Sequence, residues 1–391
     1  MPLVNMRDML YHAYDNNYAV GAFDLVSLDF LEAVIDAAEN CRSAVILSVA
    51  EPHFSHYDFE LMLPAIEAAA KRASIPVAIQ LDHGSSLESA IKAINLGCNG
   101  VTLDVSDQNF PDNLEQTQAV VGMAHQCGVS VVGKLGYVAG KEGEGAEQHP
   151  GEMALTLLSE AKAYVERTGV DFLSVSIGTV QGRMSRRVKL DYVRLKQINQ
   201  AVNIPLVIHG GSGLNEDQFH KLTSNGVAKI DYYTALSDTA AKSMRKRSKN
   251  NPDGSFTDLK KDVKQAIRLE VERCLREWGS AGRAAEVLEQ CDPWLSVEHL
   301  IVHNMSTNPI QSHNQLILEG KRILSQIPGV REVFTGEAIK INSSYQIYWS
   351  IRLTHKAALN SFHKHPEFDS FIKKQFEPNI KDLICVDFQE I

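Results

Sequence analysis

The sequence has 391 residues, 44% hydrophobic and 22% charged, a globular composition long enough for more than one core. A net charge of -9 argues against nucleic-acid binding, and the local basic run MRKRSKNNP (244–252) reads as a solvated helix end. The N-terminus MPLVNMRDMLYHAYDNN lacks a signal-peptide pattern, no apolar run reaches membrane-spanning length, and the six scattered cysteines form no CxxC pair, so a cytoplasmic protein with reduced thiols and no membrane partner is expected.

From about residue 18 to 234, short β-branched apolar runs alternate with amphipathic helical stretches such as LDFLEAVIDAAENC (28–41) and LESAIKAINLGC (87–98). The runs are YAVGAFDL (18–25), SAVILSVA (43–50), IPVAIQLDH (75–83), CNGVTLDV (98–105), GVSVVGKLG (128–136), VDFLSVSIG (170–178), IPLVIHGG (204–211) and GVAKIDYYT (226–234). Continuous apolar strands separated by helices predict a parallel sheet covered on both faces. Eight such units predict a (β/α)8 barrel; an open doubly wound sheet is the alternative, but no GxGxxG follows the first strand.

Catalytic groups of such a barrel sit at the C-terminal ends of the strands. Here those ends carry Asp24, Asp82, His83, Asp104, Ser106, Lys134, Ser176, Gln181, His209, Asp231 and Thr234. Packing needs no ionisable group at a buried strand end, so their concentration marks a site. QLDHG (80–84) places a carboxylate beside an imidazole, suiting general-base work by Asp82 next to a metal ligand His83; a histidine that merely caps backbone groups is the bland reading. HGGSG (209–213) opens a helix, and its backbone N–H groups suit a phosphate more than a plain turn does.

Beyond residue 234, helical segments run to about 288, EQCDPWLS (289–296) reads as a linker, and 297–391 alternates β-α-β-β-α-β. The expected architecture is therefore an α/β barrel over 1–288 and a small ferredoxin-like α+β domain over 297–391.

The motifs QLDHG, VTLDVS, IGTVQG, KLD (189–191), HGGSG and EWGSAGRA (277–284) resemble, in order, those of the class II ketose-bisphosphate aldolases. That resemblance implies a zinc-dependent barrel that splits a ketose phosphate into dihydroxyacetone phosphate and an aldehyde. It implies Asp82 and Glu142 as proton-transfer residues and His83 and His209 as zinc ligands. It implies Gly211, Ser212 and Thr234 at phosphate and puts Asp104 and Ser106 in the family's DxS motif; Asp24, Gln181, Gly182, Gly210 and Asp231 are further candidates for binding a phosphorylated substrate. The tail resembles the stress-responsive A/B-barrel (Dabb) family through HLIVHNMS, IPGV and HPEF, implying a homodimer or a higher homo-oligomer. His303, His363 and His365 are candidate pocket residues there, a structural His-Pro helix stop being the plainer reading.

Departures from the family pattern matter as much. Its strand-five Glu-x-Glu is Val132 and Lys134 here, and its ligand histidine after strand six is Gln181. Its asparagines on the first and last strands are Asp24 and Asp231, a strand-two serine is Ala50, and Tyr232 and Tyr233 replace small residues, which would narrow the phosphate site. His83 and His209 alone fall short of three protein ligands. An ammonium facing Zn2+ at roughly 4 Å costs about 8 kcal/mol at an effective dielectric near 20. The expectation is a metal-independent aldolase-type lyase with no cofactor, any zinc lying in an incomplete site, and Lys134 acting as a Schiff-base nucleophile or a fixed cation. Another enolate reaction, such as epimerisation or cyclisation, and a non-catalytic partner subunit are the alternatives.

Overall fold

A computed structural model describes residues 2–138, 140, 154–183, 189–307, 309–340 and 343–389. Two compact units divide the chain, one of Met1–Leu87, Gly100–Val121 and Ser130–Pro293, the other of Glu88–Asn99, Gly122–Val129 and Trp294–Ile391.

The first unit is a closed parallel barrel of β1 (Val20–Asp24), β2 (Val45–Ala50), β3 (Val77–Gly84), β4 (Gly100–Leu103), β5 (Ser130–Leu135), β6 (Phe172–Val175), β7 (Leu206–Ile208) and β8 (Val227–Tyr232). β1 pairs with both β2 and β8, which closes the ring. Nearly every strand residue is buried, as an apolar run demands when helices cover one face and the barrel interior the other. A helix absent from the strand-by-strand reading, Met6–Asp15, presents Met6, Met9, Leu10 and Ala13 to the same core as Ala22, Ile46, Ala78, Val132, Phe172 and Val207. Burying each of the larger of these side chains stabilises the fold by roughly 1.5–3 kcal/mol.

Outside the strands, Trp278 stacks on Phe23 at 5.7 Å between centroids and meets Tyr232 edge-on at 5.4 Å. Gly21 makes room, since a Cβ there would lie 2.8 Å from the Trp278 ring. Tyr232 donates its hydroxyl to Glu270 Oε1 at 2.9 Å and is 2% exposed. Its ring therefore belongs to this packed cluster, a different placement from the narrowing of the phosphate site that its position suggests.

The second unit carries β9 (Val297–Met305), β10 (Val330–Glu337), β11 (Ile347–Leu353) and β12 (Ile380–Gln389) in the order β10–β11–β9–β12, all antiparallel. That is the ferredoxin-like plan the sequence predicts. Burial alternates along β9, so one face looks to a core of Leu316, Leu324, Trp349, Phe371 and Phe376. Along β12, Leu383, Ile384, Val386 and Phe388 stay 43–53% exposed. The helix Lys356–Lys364 stops before His365, and Pro366 begins the next helix, so the His-Pro pair does serve as a helix stop.

Candidate active site

At the end of β3 the register with β4 shifts between Leu81 and Gly84, and His83 takes φ +51°, a left-handed conformation uncommon for a residue with a side chain. This bulge answers a problem of parity, because neighbouring strand residues point to opposite faces. It turns His83 to the same mouth that Asp82 already faces, and Asp82 Oδ1 accepts the His83 backbone N–H at 2.9 Å.

From His83 the contacts run in two directions. Its Nδ1 lies 2.7 Å from Asp104 Oδ2, and Nζ of Lys134 donates to that same oxygen at 2.6 Å. Asp104 Oδ1 accepts from the Ser106 hydroxyl at 2.7 Å. The strand-five lysine is buried, and its contact with Asp104 turns it to the mouth, the direction expected from its alignment with a ligating glutamate. On the other side, His83 Nε2 lies 3.4 Å from Gln181 Nε2 and 3.7 Å from Asp82 Oδ2.

His209, fully buried at the end of β7, contacts Ser174 Oγ through Nδ1 at 2.9 Å. Its Nε2 lies 3.2 Å from Asp82 Oδ1 and 3.6 Å from Asp231 Oδ2. Burial by itself would raise the Asp82 carboxyl, but the charges of His83 and His209, a His209 hydrogen bond and Lys229 together hold it well below the usual range. Asp104 behaves alike: burial opposes ionisation, and Lys134 and His83 more than offset it. Both carboxylates are ionised at neutral pH.

Asp82, His83 and His209 offer ligand atoms that all lie within 4.8 Å of one another. Among the described residues Asp82 Oδ2 is buried with no hydrogen-bond partner, which fits a carboxylate oxygen facing a cation. Sequence counts two imidazoles here; the structure adds a carboxylate as a third donor. Three protein donors with one open position fit a catalytic divalent cation, and Asp104 on His83 Nδ1 is the contact that would fix a ligating ring.

The glycine-rich loop after β7 meets the turn after β6 at close range. Gly210 has φ +77°, and a Cβ there would lie 2.3 Å from the Val180 carbonyl oxygen. Gly211, next in the loop, is buried beside Ile230 and Tyr232. Ser212 Oγ accepts the Ala235 N–H at 3.2 Å, tying this loop to the helix Thr234–Asn250. Gly182, Ser212 and Thr234 line a cavity of about 1160 Å³ together with Arg183, Lys189 and Lys242. Asp24 is buried at the end of β1, in register with Ser48. Glu142 lies outside the described residues. Sequence reasoning missed Gln80 and Lys229, whose only signal was that polar residues stood inside apolar runs. In the C-terminal unit His303 accepts from Trp349 Nε1 at 3.1 Å, and His363 meets His299 at 4.9 Å between ring centroids.

The family described as "Fructose-bisphosphate aldolase class-II" matches residues 4–283, and "Stress responsive A/B Barrel Domain" matches 297–390. A Bacillus subtilis protein named "Probable fructose-bisphosphate aldolase" is 36% identical over 290 residues, spanning 73% of this chain and 100% of that protein. A Staphylococcus epidermidis "Fructose-bisphosphate aldolase" is 35% identical over the same shares. Among solved structures, the YdjI aldolase of Escherichia coli K12 is similar with a TM-score of 0.63 and 30% identity over 72% of this chain and 99% of its own. With its strand-end carboxylates, imidazoles and glycine loop set on a closed eight-stranded barrel, this chain belongs to the class II fructose-bisphosphate aldolase family and carries a stress-responsive A/B barrel domain behind it.

Proposed function

We propose that this chain is a carbon–carbon lyase that splits a phosphorylated ketose into dihydroxyacetone phosphate and an aldehyde, or joins them. The observation that supports it is the run of contacting ionisable groups at the mouth, Lys134–Asp104–His83 and His209–Asp82, beside a glycine loop suited to phosphate. In the cleavage direction a base takes the proton of the C4 hydroxyl, the C3–C4 bond breaks, and its electron pair passes into an enolate whose oxygen is on C2. The aldehyde leaves and C3 takes up a proton. Asp82, held ionised, suits the base, and Glu142 the proton return.

Lys134 suits stabilisation of the enolate oxygen. Its Nζ is engaged by Asp104 at 2.6 Å, a salt bridge that attack on a carbonyl would have to break. A fixed cation is therefore the reading carried forward in preference to a Schiff base, and it makes a metal dispensable. The cluster of Asp82, His83 and His209 favours a second reading. Those three would hold a divalent cation, which when bound would polarise the C2 carbonyl as a Lewis acid.

Release of dihydroxyacetone phosphate from fructose and tagatose 1,6-bisphosphates, with and without a chelator and added Zn2+, tests both. Turnover that survives chelation and is lost in Lys134→Met supports the fixed cation. Turnover that follows Zn2+ supports the second reading. Absence of turnover under every condition overturns the lyase and leaves a partner subunit.

The C-terminal domain we assign to self-association. The exposed apolar side chains of β12 suit a second copy of the same sheet, and an unpaired edge invites one.

A further inference from the structure

Below the mouth the barrel holds a second cation, which the reaction above leaves without a role. Lys229 on β8 is fully buried. Its Nζ donates to Gln80 Oε1 at 2.6 Å and Thr102 Oγ1 at 3.4 Å, and lies 3.1 Å from Asp231 Oδ1. Gln80 Nε2 donates to that same Asp231 oxygen at 2.9 Å and to Ser48 Oγ at 3.1 Å. Oδ1 of Asp231 is thus clamped from two directions. Oδ2 has no hydrogen-bond partner among the described residues and lies 3.6 Å from Nε2 of His209.

Packing does not account for this arrangement. An apolar side chain of similar volume fills a barrel layer as well as a buried ion pair does, often with a gain in stability. What the pair adds is direction. With Oδ1 fixed by an amide and an ammonium, the carboxylate plane cannot turn, and its free oxygen stays on the side of the imidazole. His209 is in turn the ring that meets Asp82.

We propose that Lys229 is a positioning residue: with Gln80 it fixes Asp231 so that the unpaired oxygen stays aimed at Nε2 of His209 and holds that ring against Asp82. Lys229 touches no substrate in this assignment and acts only through Asp231. The kinetic part of its test rests on the lyase reading, and the spectroscopic part does not.

The test compares Lys229→Met, Asp231→Asn and the double variant as purified full-length protein. It reads kcat and KM for dihydroxyacetone phosphate release, and the ring-nitrogen resonances of His209 after 15N-histidine labelling. Lys229→Met is expected to lower kcat at least tenfold with KM within threefold of the parent, and to shift the His209 resonances. In the Asp231→Asn background it is expected to change neither. Unchanged kcat and unchanged His209 resonances, with only a lower melting temperature, would overturn the proposal, as would full additivity of the two substitutions. Should Lys229→Met fail to fold, Lys229→Gln and the double variant, which leaves no buried charge unpaired, carry the comparison. A parent without turnover sinks the lyase reading, and the ring resonances then decide this proposal alone.

Discussion

Nζ of Lys134 lies 2.6 Å from Oδ2 of Asp104, and that same oxygen holds Nδ1 of His83 at 2.7 Å. One carboxylate oxygen therefore couples a buried cation to an imidazole at the centre of the mouth. Lys134→Met removes the cation and leaves His83 as the side chain on that oxygen of Asp104. Loss of one preorganised electrostatic partner costs on the order of 100- to 1000-fold in kcat, and that drop is expected in the dihydroxyacetone phosphate assay. An unchanged kcat would show that Lys134 is structural.

Gln181 sits 3.4 Å from His83 Nε2, where an imidazole would bring another donor to the Asp82–His83–His209 group. Gln181→His should raise the zinc retained after purification, measured by elemental analysis of the parent and the variant side by side. Equal zinc in both would place the side chain at 181 outside any metal site.

The approach of the two loops at Gly210 allows no side chain. In Gly210→Ala the new Cβ would meet the Val180 carbonyl oxygen at 2.3 Å on a backbone with φ +77°. The expected loss is about 1–3 kcal/mol of stability, with a raised KM for the phosphorylated substrate. Gly122→Ala is the control: nothing among the described residues lies within 4 Å of its added Cβ, and it stands on an exposed helix position. There about 0.5–1 kcal/mol of gain is expected from helix propensity. Thermal unfolding of the two variants should move in opposite directions.

Burial lowers the pKa of His303 to about 4, from an ordinary value of 6.5. As pH falls below 6.5 the unfolded chain takes up a proton that the folded one refuses until about pH 4. The stability contribution of a neutral His303 is therefore complete above pH 6.5, declines between 6.5 and 4, and stays constant below. Unfolding followed across that range should show a steeper loss for the parent than for His303→Gln. Parallel curves would mean that His303 ionises in the fold as freely as out of it.

Self-association through the C-terminal sheet predicts that Val386→Lys with Phe388→Lys yields a smaller species in light scattering, without unfolding the barrel. These side chains are 43% and 53% exposed in the single chain, so charge there costs the monomer little. An unaltered mass would move the interface elsewhere or remove it.

Much of this molecule can be read from local pattern. Eight apolar runs with helical stretches between them suffice for a parallel barrel, because a strand apolar throughout must be covered on both faces. The order β-α-β-β-α-β likewise anticipates the antiparallel tail sheet. QLDHG and HGGSG marked their strand ends because charge and glycine have no packing reason to stand there. Tyr232 shows the limit: its place beside Thr234 suggested a wall of the phosphate site, yet Trp278, 46 positions further along the chain, draws its ring into a packed cluster.

Sequence alone thus determined the barrel, the tail domain, the family and the residues at the mouth, since periodicity and motif are local properties of the chain. Only tertiary structure decided which of them touch. Whether Lys134 faces in or out depends on strand parity, and whether His83 joins Asp82 depends on a bulge with φ +51°. Lys229 and Gln80 look like polar interruptions of apolar strands until the closing of the ring brings β3 and β8 across from one another. Their meaning lies in distances between positions about 150 residues apart, which no local pattern carries.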